Sequence, residues 1–154
     1  MKNEFIPYEE ALALKELGFN EPCVGTYHNR GNGVGFTFGM FQHPKRNSQA
    51  NTVSGTFIGE QGCYAPLYQQ AFRWFREEHG LYVEYYILEY RGQDTYAFQI
   101  FDFKKQSTVY NCCLNDDGEL IKGGYSTHSG AEEASLKKII NKLKFEKIKE
   151  NKNE

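Results

Sequence analysis

The stretch Pro66-Leu67-Tyr68-Gln69-Gln70-Ala71-Phe72-Arg73-Trp74-Phe75-Arg76-Glu77-Glu78-His79-Gly80 constrains the fold more than any other. Proline suits the first position of a helix, where its missing N–H costs nothing, so Pro66 reads as the opener. Gly80 reads as the stop, because the residue after a last turn often needs positive φ. At about 100° per residue, Leu67, Tyr68, Ala71, Phe72, Trp74 and Phe75 share one arc, and Gln69, Gln70, Arg73, Arg76 and Glu77 share the other. Burying each large apolar side chain is worth roughly 1.5–3 kcal/mol, so this arc is expected to be core. Read instead as a cofactor or peptide groove, the same aromatics would have no partner specified by the sequence.

A sequence of 154 residues fits one domain, expected over 1–150, with 151–154 as a frayed tail. Its 18 Lys+Arg against 20 Asp+Glu give near neutrality, which argues against a surface shaped throughout for polyanions. Met1 to Glu10 lacks an apolar stretch of signal-peptide length, and no run of apolar residues is long enough for a membrane helix. A cytoplasmic protein is therefore expected, and its four cysteines are expected to be reduced, buried thiols.

Along the chain, Pro7 opens a first helix with Glu9 and Glu10 in its first turn, and Leu17-Gly18-Phe19 predicts a Schellman stop with Phe19 folding back toward Leu14. Pro22 to His28 and Val34 to Phe41 predict a hairpin across Asn29 to Gly33. In its second strand Val34, Phe36, Phe38 and Met40 are expected on the core face, while Gly35 and Gly39 on the other face suggest close approach of another backbone. Gln42 to Asn51 reads as a loop, and Thr52 to Ile58 as a third strand. Gly59 to Gly62 turns the chain into Cys63-Tyr64-Ala65 and the Pro66 helix.

After Gly80, Leu81 to Tyr90 and Thr95 to Phe103 predict a second hairpin with Arg91-Gly92-Gln93-Asp94 between them. Thr108 to Leu114 follows as a strand, then a turn at Asn115 to Gly118. The last helix is expected to start at Ser129 as cap with Glu132 as its capping-box partner. Leu136, Ile139, Ile140 and Leu143 form its buried stripe, with fraying beyond. The expected fold is α+β: one antiparallel sheet of five to six strands with three helices packed on it, and a C-terminal part in α-β-β-β-α order.

Two blocks, Tyr8 to Cys23 and Ala65 to Gly80, resemble those shared by small uncharacterised proteins of phages and prophages of gut Bacteroidetes, with a weaker likeness at Glu133-Ala134 and Leu136-Lys137-Lys138. The resemblance implies a setting, the bacterial host cytoplasm during infection or lysogeny, and supplies no catalytic residues.

The α-β-β-β-α order is also that of double-stranded-RNA-binding domains, an analogy of order alone. Such domains place basic residues near the start of the last helix, whereas Ser129-Gly130-Ala131-Glu132-Glu133 places acid there, against duplex RNA. Tyr82, Tyr86 and Tyr90, with Arg91 beside them and Tyr96 or Phe98 expected to join them across the hairpin, share one strand face and are the candidate binding residues. Stacking on aromatics is worth roughly 1–3 kcal/mol per base, so such a ladder suits single strands or nucleotides if exposed, and core if covered. For a metal, Cys23 and His28 lack a second ligand pair at zinc spacing, and adjacent Cys112 and Cys113 on a strand should point to opposite faces. Gly31-Asn32-Gly33-Val34-Gly35 lacks the lysine and helix of a phosphate loop. The sequence thus predicts no cofactor, no metal and no catalytic residues. It points to a non-enzymatic phage accessory protein that binds a host or phage protein, or a second copy of itself, with no membrane contact. The alternative is nucleotide or single-stranded nucleic-acid binding through the tyrosine face, and a third is a cysteine- or metal-dependent enzyme.

Overall fold

The computed structural model describes residues 4–29, 33–38, 52–53, 56–57, 62–115 and 117–152. Over these described residues the fold is α+β, with three helices, two three-stranded antiparallel sheets and one two-stranded ladder. The single sheet of five to six strands is therefore corrected. The chain leaves the first sheet at Ala65, passes through a helix, and starts a separate hairpin at Leu81. Two compact units result, Met1–Ala71 and Phe72–Glu154.

In the first unit α1 is Tyr8–Leu17, preceded by an extended Pro7, with Glu9 and Glu10 in its first turn and Lys15 in its last. Phe19 N–H donates to Leu14 O (2.9 Å) and Gly18 N–H to Lys15 O (3.1 Å), with Gly18 at φ 105°, which is the Schellman geometry read from Leu17-Gly18-Phe19. Strand β1 (Gly25–Asn29) pairs antiparallel with β2 (Val34–Phe38), Gly25 opposite Phe38 and Asn29 opposite Val34. Two further segments, β3 (Thr52–Val53) and β4 (Thr56–Phe57), pair with each other, so the expected single strand from Thr52 to Ile58 is broken in two. Strand β5 (Cys63–Ala65) takes the free edge of β1. Arg30 to Asn32, Gly39 to Asn51, and Ile58 to Gln61, which include part of the expected hairpin turn, the Met40 end of the second strand and the expected loop, lie outside the described residues.

The apolar face of β2 is covered only in part, and only at its middle, where Phe36 is half-buried. Phe36 packs against Phe5 at 4.9 Å and Tyr27 at 5.5 Å between ring centroids, whereas Val34 and Phe38 are 47% and 62% exposed. Phe5 also reaches Phe38, at 6.4 Å between centroids, without covering it. On the other face a Cβ at Gly35 would lie 2.2 Å from His28 Nε2. The neighbour that excludes a side chain at Gly35 is thus an imidazole from the opposite strand position, not a backbone.

Helix α2 is Tyr68–His79, two residues later than Pro66 suggests. Pro66 O accepts from Ile6 N–H (3.0 Å) and Leu67 bridges to Phe5, which holds both residues in extended pairing. The first helical bond, Ala71 N–H to Leu67 O, starts only after them. Gln70 closes this end: its Oε1 accepts from Leu67 N–H (3.3 Å), and its Nε2 donates to Pro22 O (3.1 Å). Ala71, Trp74 and Phe75 are buried while Gln69, Arg73, Arg76, Glu77 and Glu78 are exposed, as the helical period predicts.

In the second unit β6 (Leu81–Tyr90) and β7 (Gln93–Asp102) form a hairpin in uninterrupted register, and β8 (Ser107–Asn111) pairs with the far half of β7. The turn is Arg91-Gly92 alone, at φ 54° and 75°, the double positive φ of a type I′ turn. Gln93 and Asp94, expected in the loop, pair instead with Tyr90 and Glu89. Beyond Asn111 the chain bends away, bridges Leu114 to Leu120, and returns at Tyr125, which exchanges two backbone bonds with Tyr96 (2.8 and 2.7 Å). Gly124 makes that return possible, since a Cβ there would stand 2.2 Å from Tyr96 O.

Helix α3 is His128–Glu150, capped by Thr127, whose Oγ1 accepts from Gly130 N–H (3.1 Å). Ser129 is inside the first turn, not the cap, and Glu132 faces His128 Nδ1 (3.5 Å) instead of completing a capping box. Leu136, Ile139, Ile140 and Leu143 are buried as expected, joined by Ala131 and Ser135. Helical structure continues past Leu143 to Glu150, and Lys142 pairs with Glu146 four residues on, a spacing that supports a helix beyond its apolar stripe.

Candidate functional site: the outer face of the second sheet

Alternation along β6 sorts its side chains between two faces. Val83 opposite Ile100 and Tyr85 opposite Phe98 belong to the covered face. There Tyr85 O–H meets Ser135 Oγ at 2.7 Å, and Ser135 O–H donates to Glu132 O at 2.9 Å. Phe72, His128 and Phe98 ring Tyr85 at 6.3, 5.0 and 6.5 Å between centroids, and Tyr125 stacks on Phe98 at 6.0 Å. Tyr85 on this side is explained by ring packing and by its hydroxyl bond to Ser135.

The other face carries Tyr82, Glu84, Tyr86, Leu88 and Tyr90, opposite Phe101, Gln99, Ala97, Thr95 and Gln93, so Tyr96 and Phe98, which pair with Ile87 and Tyr85, do not join the tyrosines as expected. The three tyrosines do not share one environment. Tyr90 is half-buried, with its ring against Gly123, where a Cβ would approach within 2.6 Å, and with the Arg91 guanidinium 5.2 Å from its centroid. Tyr86 is half-buried and donates to Asn111 Oδ1 (3.0 Å). Burial holds its phenol above the ordinary range, an effect the Asn111 bond offsets in part and Cys113 and Cys112 reinforce. Tyr82 is 41% exposed.

Around Tyr82 the sheet is open. Its ring lies 6.3 Å from that of Phe103, which is 49% exposed, and Phe103 lies 5.3 Å from Phe101. Phe103 is held by its N–H donating to Gly80 O (2.9 Å), and the chain then turns on Asp102 Oδ1, which accepts from the N–H groups of Lys104 and Lys105 (2.9 and 3.2 Å). Gln99 Nε2 donates to Glu84 Oε2 (2.6 Å), which fixes a carboxylate between Tyr82 and Tyr86. Phe101 and Phe103 escaped the sequence reading, although Phe101 is the cross-strand partner of Tyr82 once the hairpin register is written out.

The remaining candidate chemistry is dispersed. Cys23, Cys63, Cys112 and Cys113 are all unbridged and buried, and burial pushes the Cys23, Cys63 and Cys113 thiols up to about 12. Cys112 and Cys113 do not point to opposite faces, because the strand ends at Asn111 and their sulfurs meet at 3.3 Å in the bend that follows. Among the described residues no group of three or more His, Cys, Asp or Glu is placed to hold a metal, and no helix is long and apolar enough to cross a membrane. Compared with family models, with curated proteins and with solved structures, the chain matches none.

Proposed function

We propose that the protein is a non-enzymatic protein-binding module, and that its contact surface is the open end of the outer face, centred on Tyr82, Phe101 and Phe103. The setting is the one its resemblance to phage proteins implies, a bacterial cytoplasm with a host or phage protein as partner. The observation that carries the reading is the ring cluster itself, in which Tyr82 and Phe103 are exposed and Phe101 is half-buried beside Phe103. Exposed contiguous aromatics mark interaction sites, and aromatic centres with polar rims are the usual anatomy of protein interfaces. Lys104, Lys105, Glu84 and Gln99 supply a rim of both signs.

Charge favours protein over nucleic acid. A single-strand platform needs cations tracking the backbone beside its stacked bases. Here a fixed carboxylate, Glu84, lies in the middle of the face, and Arg91 is engaged with Tyr90 at its far end. Covered Tyr86 and Tyr90 serve the fold of this face, and Tyr82 serves contact.

The test replaces only what is open. A Tyr82→Ser, Phe103→Ser double variant should keep the parent's circular dichroism and melting midpoint while losing at least about tenfold in affinity for a partner captured by the parent, as hot-spot aromatics do. Sedimentation of the parent across a concentration series covers a second copy as partner. Titration with a fluorescent oligonucleotide at two salt concentrations separates the nucleic-acid alternative, whose affinity would fall steeply with salt. A folded double variant that retains every partner, or steep salt-dependent oligonucleotide binding by the parent, overturns the reading.

A further inference from the structure

The contact between Cys112 and Cys113 is built, not incidental. Consecutive residues of a continuing strand project to opposite faces. Here Asn111 ends the strand, and its Oδ1 accepts from the backbone N–H of Cys113 (2.9 Å) and of Leu114 (3.2 Å) as well as from Tyr86 O–H. Three donors on one amide oxygen wrap the backbone round it and bring both thiols to one side, 3.3 Å apart. Cys112 is anchored to β7 through backbone and side chain together: its N–H donates to Phe98 O (3.0 Å) and its Sγ accepts from Phe98 N–H (3.2 Å).

We propose that Cys112 and Cys113 form a chelating dithiol site for monosubstituted trivalent arsenicals, R–As(OH)2. Each alternative use of a sulfur pair meets an obstacle. Zinc wants four ligands, and the described residues assemble no third one at this pair. A linear two-coordinate copper(I) ion needs its sulfurs on opposite sides of the metal, far wider than the separation found. A disulfide between neighbours is strained, because Cα atoms across a trans peptide are about 3.8 Å apart. Disulfides usually span about 4.4–6.8 Å between Cα atoms, and strained ones are readily reduced. A bridging atom that keeps the sulfurs unbonded and subtends a narrow angle avoids these difficulties. Pyramidal trivalent arsenic does so, and a monosubstituted arsenical brings its own third bond.

The chemistry also suits a buried pocket. Two As–O bonds break and two As–S bonds form, and the two S–H protons leave with the two hydroxyls as two waters, with arsenic trivalent and sulfur unoxidised throughout. Neutral reactants give a neutral product, so no unpaired charge is placed in an apolar interior, where burial would penalise it. Burial keeps the Cys113 thiol in its neutral form, in accord with that exchange. Both thiols are buried, so access needs local opening, for which the segment after the pair is the candidate. That segment is held by Ile121 N–H to Cys113 O (2.9 Å) and the Leu114–Leu120 bridge, and it carries Leu120 and Ile121 at 47% and 59% exposure.

Native full-length protein treated with one equivalent of phenylarsine oxide tests the site by intact mass and peptide mapping. The expected result is one adduct per chain, a phenylarsenic group less two hydrogens, mapping to the tryptic peptide 106–122. It should survive excess 2-mercaptoethanol and be released by 2,3-dimercaptopropanol, the signature of a two-sulfur chelate. Cys112→Ser and Cys113→Ser should each lose it, and Cys23→Ser should keep it. An adduct that forms only after denaturation, maps to Cys23 or Cys63, or is stripped by the monothiol overturns the proposal, and the wild-type mapping decides this even where a serine variant fails to fold.

Discussion

Residues of one type do unlike work here, and burial decides which. Tyr82 is open, Tyr86 is a hydrogen-bonded strut and Tyr90 a lid on Gly123. His79 shows the same principle with a proton at stake. Its ring lies 4.6 Å from that of Trp74, and its Nε2 is buried without a hydrogen-bond partner among the described residues. Burial lowers its pKa, Lys104 lowers it further, and Glu78 and Glu146 oppose the shift. In the unfolded chain the imidazole takes up a proton as pH falls through about 6.5, while the folded protein resists. The unfolded state then binds more protons, so stability is level above that point and falls as pH drops below it. Melting midpoints measured from pH 8 to pH 5 should show this decline, and His79→Phe should flatten it. Parallel profiles for the two proteins would assign the acid sensitivity elsewhere.

Elements were legible where a local rule acts alone. The α1 stop rests on Gly18 and its two neighbours, and the buried stripe of α3 on helical period, so both are readable from sequence. Starts were less so. Pro66 and Leu67 are drawn into pairing with Ile6 and Phe5, and Thr127 outcompetes Ser129 as cap, because contacts distant in sequence and backbone conformation decide between adjacent candidates. The sheets were misjudged for the same reason: strand order depends on which edges meet, and alternation is silent on that. The candidate site is half legible, since Tyr82 stands out in β6 while its Phe101 and Phe103 neighbours need the register. The cap gives a clean check. Thr127→Ala removes the side-chain acceptor for Gly130 N–H and should cost about 1 kcal/mol, whereas exposed Ser129→Ala should stay within about 0.5 kcal/mol. Urea denaturation midpoints of the two variants measure the difference, and equal losses would return the cap to Ser129.

At the scale of the whole molecule the cysteines report on both units at once, Cys23 and Cys63 in 1–71 and Cys112 and Cys113 in 72–154. All four are buried at 3% exposure or less, so a water-soluble disulfide reagent reaches them only through opening of the structure. The pH dependence of labelling separates this route from direct attack. The thiolate is the nucleophile, and in an opened segment a cysteine titrates near its free value of about 8.5. In the closed protein Cys23, Cys63 and Cys113 would ionise only near 12, where desolvation holds them. Reaction through opening therefore levels off above roughly pH 9, because each opened thiol is by then ionised. Direct attack on the folded form would keep accelerating by about tenfold per pH unit toward the raised value, as the thiolate fraction of any weak acid does below its pKa. The expected outcome is slow labelling in native buffer, four thiols released at once in denaturant, and a profile that flattens near pH 9. A fast native phase, or a rate still climbing at pH 10 while the circular dichroism is unchanged, would mean that at least one sulfur is reached in the closed protein, and mapping the labelled peptide would name the unit that exposes it.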